Sequence, residues 1–395
     1  MSVLSLALLT AALAAEPLLA PEPGMELTPL SVKAAVQRSL PYIEKVGTDW
    51  MTKRKCNSCH AVTFLVWSHN TAAAYGLEVD RKKLAAWTKW SLADSLSDRH
   101  WFKLRPQAMA ALKAGGLADS VLAKLKPLEG KNYLTQKEYL DAVEKALGAD
   151  DLGLHKVALV NAAALPNNGG GPDTLGQLLL ARAVLPEDQE AVQSHEAIRS
   201  LLLEWQEPGG SWLAAGQLPE LKWSESEMND ATTRWSILAL AAEKNPNEAL
   251  LQVRQRGIES VDKNSPGITL QSLALHAAVA GRFGDKERAA GLLKDLLARQ
   301  SDDGGWKWVQ ENKESDAFST GQALYVLGLL GRDGSDPIVR KAWEYLLRTQ
   351  AADGSWQVPQ NLINKRKRGL NVYPLWGTAW CAIGLLQTLP ADNVR

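Results

Sequence analysis

Three stretches of the chain say nearly the same thing, and a repeat decides architecture before any other feature does. They are Trp205-Gln206-Glu207-Pro208-Gly209-Gly210-Ser211-Trp212, Gln300-Ser301-Asp302-Asp303-Gly304-Gly305-Trp306 and Gln350-Ala351-Ala352-Asp353-Gly354-Ser355-Trp356. Each follows an amphipathic helical pattern, and each precedes, after a loop of variable length, a strongly apolar one. No stretch alternates with period two for long enough to predict a substantial strand. Amphipathic helices are expected near 31–46, 81–96, 188–205, 247–261, 285–299 and 336–349. Helices apolar on nearly every side, and so buried, are expected near 61–75, 173–185, 230–242, 268–280, 317–330 and 375–388. Shorter amphipathic helices fall near 105–114, 118–125 and 135–147, and 154–165 is a further apolar stretch. Six buried helices wrapped by amphipathic ones predict an all-α fold, an (α/α)6 toroid. The bland alternative is a linear solenoid of helix pairs.

Within the motif each residue has a physical task. Glycine permits the tight turn after the outer helix. Tryptophan offers a broad flat face for packing on the next repeat. Glutamine and aspartate can satisfy backbone groups left free at helix ends. The Gln-x-x-Asp-Gly-x-Trp pattern resembles the QW repeat of the squalene–hopene cyclase and protein prenyltransferase superfamily. Thr320-Gly321-Gln322-Ala323-Leu324 and the run Gly377 to Leu386 resemble its inner helices. The resemblance covers roughly 200–390 and implies the same toroid. An isoprenoid enzyme is one function it implies, with Glu314 and Asp316 as acid candidates. The Asp-x-Asp-Asp run of the cyclases is missing there, and no Cys or His stands near Asp316 in the sequence to complete a prenyltransferase zinc site. Asp316 is more simply a helix cap.

The second informative stretch is Cys56-Asn57-Ser58-Cys59-His60. Cys-x-x-Cys-His is the attachment signature of c-type haem. Two thiols at this spacing meet the two vinyl groups, and the adjacent His becomes the proximal iron ligand. The expectation is covalent haem c on Cys56 and Cys59, with iron on His60, in an electron carrier or redox sensor with a redox partner protein. The other readings are a Cys56–Cys59 disulfide in a binding or scaffold protein, half of a zinc site, and a chance match. Met228 is the favoured distal ligand, with Met109, His69 and His100 as other candidates. A small cytochrome domain over 30–125 with Met109 as ligand is a further alternative. In a toroid the N-termini of the inner helices share one mouth, so His60, Met228, Asp230, Glu314, Asp316 and Tyr373 are expected there. An apolar small molecule is expected in the central cavity. The basic run Asn364-Lys365-Arg366-Lys367-Arg368 would add positive charge at that mouth, or is simply a solvated loop.

Composition narrows the classes. Lys plus Arg and Asp plus Glu each number 44, so the net charge is zero, which argues against nucleic acid as a partner. Residues 1–15 form an apolar run ending in Ala12-Leu13-Ala14 and fit a signal peptide, although no Lys or Arg precedes the run. Residues 16–30 read as a linker and 31–395 as a single toroid domain. Export to the periplasm or outside the cell follows, with no transmembrane helix after processing.

Overall fold

The computed structural model describes residues 26–54, 57, 61–96, 101–131, 133, 136–165, 171–182, 189–214, 224–284, 286–358 and 372–390. The expected signal peptide, the Asn364–Arg368 run, Cys56, Cys59, His60 and His100 lie outside these residues. The described helices are α1 (Pro29–Arg54), α2 (Val62–Ala74), α3 (Arg81–Ser95), α4 (Pro106–Ala114), α5 (Asp119–Leu125), α6 (Gln136–Leu147), α7 (Ala149–Ala163) and α8 (Pro172–Arg182). They continue with α9 (Gln189–Glu204), α10 (Glu225–Ala241), α11 (Glu248–Asp262), α12 (Leu270–Phe283), α13 (Lys286–Ala298), α14 (Ala317–Leu329), α15 (Pro337–Thr349) and α16 (Val372–Gln387).

The predicted ring is present. Helices α2, α8, α10, α12, α14 and α16 pack each on the next, and α16 packs back on α2. Outside them α3 packs on α2, α9 on α8, α11 on α10, α13 on α12 and α15 on α14, while α1 lies over α16 and α2. The inner helices earn their position by composition. Every residue of α2 is buried, and so is α14 from Ala317 to Leu327. Two hydroxyls of α2 turn back on their own helix, Ser68 to the Phe64 carbonyl at 2.7 Å and Thr71 to the Trp67 carbonyl at 2.9 Å. Helices α14 and α16 approach closely because Gly321 faces the backbone of Trp380 and Cys381, while Gly384 faces the carbonyl of Gly321. A Cβ at either position would drive the pair apart.

The three repeated motifs perform one construction. Each Trp indole N–H caps a carbonyl in the last turn of the preceding outer helix: Trp212 on Leu202 at 2.7 Å, Trp306 on Leu296 at 2.9 Å and Trp356 on Leu346 at 2.8 Å. Each Trp backbone N–H donates to a threonine hydroxyl of the next inner helix, on Thr233, Thr320 and Thr378. Each Gln amide donates twice, once within its own turn and once to the next outer helix. Gln206 reaches Val253 on α11, Gln300 reaches Ile338 on α15, and Gln350 reaches Ala35 on α1. The turn glycines Gly210, Gly304 and Gly354 have φ of 90°, 93° and 82°. Each lies against a carbonyl three residues further along that helix, of Arg256, Lys341 and Arg38. A side chain there is excluded twice, by φ and by the carbonyl. The third motif therefore ties the end of the chain to its first helix and closes the ring.

Residues 101–165 stand between α3 and α8 with a core of their own. Strand β1 (Trp101–Phe102) pairs antiparallel with β2 (Ala164–Leu165) where the segment begins and ends. Phe102, Leu104, Met109, Leu125, Tyr139, Val143 and Leu159 fill that core. A cytochrome unit over 30–125 is thus ruled out, since α1 to α3 belong to the ring core and Met109 belongs to this one.

Removing one clamp is expected to loosen one joint. Gln350→Leu leaves two backbone carbonyls without their donor, a cost of about 1–2 kcal/mol. Hydrogen exchange in residues 29–40 of α1 should then quicken roughly 5–30-fold while α15 is unchanged. Gln300→Leu should quicken α15 and spare α1.

Candidate functional site

The inner helices are parallel, because residues near their N-termini pair with one another around the ring. Thr63 on α2 donates to Gln177 on α8. Thr232 on α10 donates to Asp173 on α8 at 2.7 Å. Glu227 on α10 accepts from Thr269, the cap of α12, at 2.7 Å, and Gln322 on α14 donates to Gln271 on α12 at 2.8 Å. Cys381 on α16 donates to the Ala317 carbonyl at the start of α14 at 3.2 Å. Phe64 of α2 meets Trp376 of α16 edge-on. One end of the ring therefore gathers all six N-termini, as expected.

About a turn deeper the axis is filled with rings. Trp67 of α2 meets Tyr325 of α14 at 5.4 Å and Trp380 of α16 at 5.3 Å between centroids. Trp235 of α10 stacks on Trp380 at 5.5 Å and lies 5.9 Å from Tyr325. Helix α14 is flanked by α12 and α16, so contacts of Tyr325 with α2 and α10 cross the ring. All four rings are at least nine-tenths buried. This layer packs aromatic edges on aromatic faces across the axis.

Above the rings, one helical turn nearer the mouth, Thr63 precedes Trp67, Thr232 precedes Trp235 and Gln322 precedes Tyr325. With Asp173, Thr174, Gln177 and Gln271 they make a polar layer over an aromatic one. Asp173 is its carboxylate, held in the first turn of α8, where the exposed N–H groups and helix dipole favour negative charge. Gln177 is partly exposed, while Thr174 and Gln322 are buried. The hydroxyl of Thr174 and the Oε1 of Gln322 have no hydrogen-bond partner.

The described residues predicted for the mouth lie near the starts of α10, α14 and α16, each in a setting of its own. Asp316 caps α14, accepting from the Ser319 N–H at 2.7 Å, the Ser319 hydroxyl at 2.9 Å and the Trp308 N–H at 3.1 Å. Burial pushes its carboxyl up to about 6, against the pull of those donors. It is fully enclosed, and its lone pairs are spent on the cap, so the acid role is not supported. Glu314 is exposed. Cys381 does come close to Asp316 in space, and its thiol is pushed up by burial and by that carboxylate. Met228 is partly buried against the ring core. Tyr373 is buried, edge-on to Trp376. His69 bonds the Leu65 carbonyl at 2.8 Å and lies edge-on to Trp87, and burial lowers it to about 4. Between the two cysteines, Asn57 is buried, donating to the Ser95 hydroxyl at 2.7 Å and the Ser91 carbonyl at 3.0 Å.

Asp230 belongs to a joint. Its carboxylate accepts from Arg234 Nε at 2.8 Å, Asn264 at 2.8 Å and His276 Nε2 at 3.0 Å. Burial opposes its ionisation, but these donors and the Arg234 charge outweigh burial and hold it near 2. Burial likewise lowers His276. Arg234 in turn caps the Val261 carbonyl in the last turn of α11 at 2.8 Å. That is the bond a motif Trp makes at the other joints, and 263–269 carries no Trp. A buried guanidinium replaces the indole here and needs the carboxylate beside it.

Sequence reading missed Asp173, Gln271, Gln322, Arg234 and His276. A usable signal existed for His276, a lone polar residue in the apolar run from Leu273 to Ala280.

Among the described residues no helix is long and apolar enough to cross a membrane. No family model matches the chain, and no curated protein matches it. Among solved structures, one named "Glycosidase Wild Type" aligns with 92% of this chain and 98% of its own, at 15% identity and a TM-score of 0.50. Another, named "Polysaccharide Lyase BACCELL_00875", aligns with 91% of this chain and 96% of its own, at 13% identity and a TM-score of 0.38.

The expectation of an electron-transferring haem protein is corrected by the first of these, whose fold runs the length of the chain and whose name is that of a glycosidase. Among the described residues no group of three or more His, Cys, Asp or Glu is placed to hold a metal.

Charge removal should expose the structural role of Asp230. Asp230→Asn leaves Arg234 buried without its counter-charge, and the expected cost is about 3–5 kcal/mol in denaturant unfolding. A carboxyl held near 2 contributes stability above its ordinary pKa near 4, and that stability is lost as pH falls toward 2. The wild type should show that acid limb, and the variant should lack this part of it.

What the likeness establishes is the fold of the chain, an (α/α)6 toroid.

Proposed function

We propose that the protein binds carbohydrate at the N-terminal mouth of the ring and acts on its glycosidic bonds. The observation that carries this is the two-layer floor of the mouth. Uncharged hydroxyl and amide groups from α2, α8, α10, α12 and α14 lie over packed aromatic rings. Sugars present alternating hydroxyl edges and apolar C–H faces, and such a floor answers the hydroxyls. Trp376 and Phe318, stacked at 5.4 Å near the helix starts, supply apolar surface at the same end. The name of the solved structure matched end to end supports the same class.

Asp173 is the carboxylate of this layer, and the proton-transfer role falls to it. The resemblance of the repeats to the cyclase and prenyltransferase superfamily we take as a resemblance in ring building. Gln206, Gln300 and Gln350 and their tryptophans are spent on joints between helices, leaving none for chemistry.

Reducing-end release from a panel of neutral and acidic polysaccharides tests the proposal. Wild type should cleave at least one member. Asp173→Asn should bind it with similar affinity and cleave it at least about 100-fold more slowly. Absence of binding and cleavage across the panel would end this reading.

A further inference from the structure

Two buried polar atoms in the mouth layer lack partners, the hydroxyl of Thr174 and Oε1 of Gln322. Buried groups of this kind are ordinarily paired, and each exception calls for an explanation. Gln322 is the more informative because its orientation is set. Its Nε2 donates to Gln271 Oε1 at 2.8 Å, which leaves its own carbonyl oxygen as a pure acceptor. It stands one turn before Tyr325, whose ring reaches across the axis to Trp67 and Trp235, so it shares the face of α14 that looks inward. Gln322 is 3% exposed, and an acceptor so enclosed is costly to leave unpaired.

We infer that Gln322 is the specificity-determining residue of the mouth, its carbonyl oxygen accepting a hydroxyl hydrogen from an uncharged sugar ring. The inference rests on the carbohydrate reading above and narrows it. A hydroxyl supplies the missing donor. The carboxylate of a uronic acid is acceptor-only when ionised and would meet the Gln322 oxygen with like polarity. Thr174 can donate or accept and does not alter the preference. The mouth therefore selects neutral glycans over acidic ones.

The test is binding of defined tetrasaccharides to the full chain, read by tryptophan fluorescence and calorimetry. The probes are cellotetraose, xylotetraose, maltotetraose, chitotetraose and tetragalacturonate. Wild type should bind at least one neutral probe at least tenfold more tightly than tetragalacturonate. Gln322→Met should weaken that neutral probe about tenfold, the value of one neutral hydrogen bond, with an unchanged melting temperature or a higher one. A wild type that prefers tetragalacturonate overturns the inference while leaving the carbohydrate reading in place. A folded Gln322→Met that binds as the wild type does overturns it as well. If Gln322→Met does not fold, the neutral-against-acidic preference of the wild type decides alone. A wild type that binds none of the five, nor any polysaccharide of the wider panel, removes the carbohydrate reading itself.

Discussion

The ring depends on the amide of a glutamine placed between two outer helices. Packing alone lets helix pairs stack at a range of angles, as linear solenoids show. A side-chain amide that donates to carbonyls of its own turn and of the next helix permits a narrow range. Gln206, Gln300 and Gln350 make the same pair of bonds. The turn glycine beside each presses on the carbonyl one helical turn further on. The third glutamine joins groups 315 residues apart, at Ala35, and Arg38 returns a bond to it at 2.6 Å. Fastening a first helix to a last one converts a row of helix pairs into a closed ring, in which each inner helix has two inner neighbours and is buried all round.

The joint between α11 and α12 shows what the tryptophan contributes by doing without it. Arg234 reaches the last turn of α11 from the inner helix and supplies the missing donor. A guanidinium brings a charge with it, and burial makes that charge expensive without a partner. Asp230 answers the charge, Asn264 and His276 fill its remaining lone pairs, and Arg288 binds the carbonyls of Asp262 and Asn264 from α13. A strongly perturbed carboxylate at the rim of a ring is commonly taken to mark chemistry. Here the perturbation follows from replacing an indole, so Asp230 is accounted for by the joint.

The fold was legible because two independent periodicities agreed. Helices apolar on every side alternated with amphipathic ones, and the glutamine–glycine–tryptophan turn marked their joints. The two-layer floor was not legible. Thr63, Thr232, Gln271 and Gln322 are polar residues scattered over four helices, and helical periodicity gives no reason to group them. Only their register across neighbouring helices brings them to one level, and register between segments more than fifty residues apart is a property of the closed ring. The Cys-x-x-Cys-His run is a local pattern with a specific chemical meaning, and its Cys56, Cys59 and His60 lie outside the described residues. Its Asn57 is spent on the last turns of α3.

Filling the axis with Trp67, Trp235, Tyr325 and Trp380 has a consequence for where a ligand can be met. Aromatic side chains from four of the six inner helices bury large surfaces against one another, so this layer is costly to open. The C-terminal ends of the inner helices lie beyond it. A ligand entering at the N-terminal mouth meets exposed helix N–H groups, the Asp173 carboxylate and unpaired acceptors before it meets the rings. The aromatic layer is thus the base of the ring, and the polar layer lies between it and the helix N-termini.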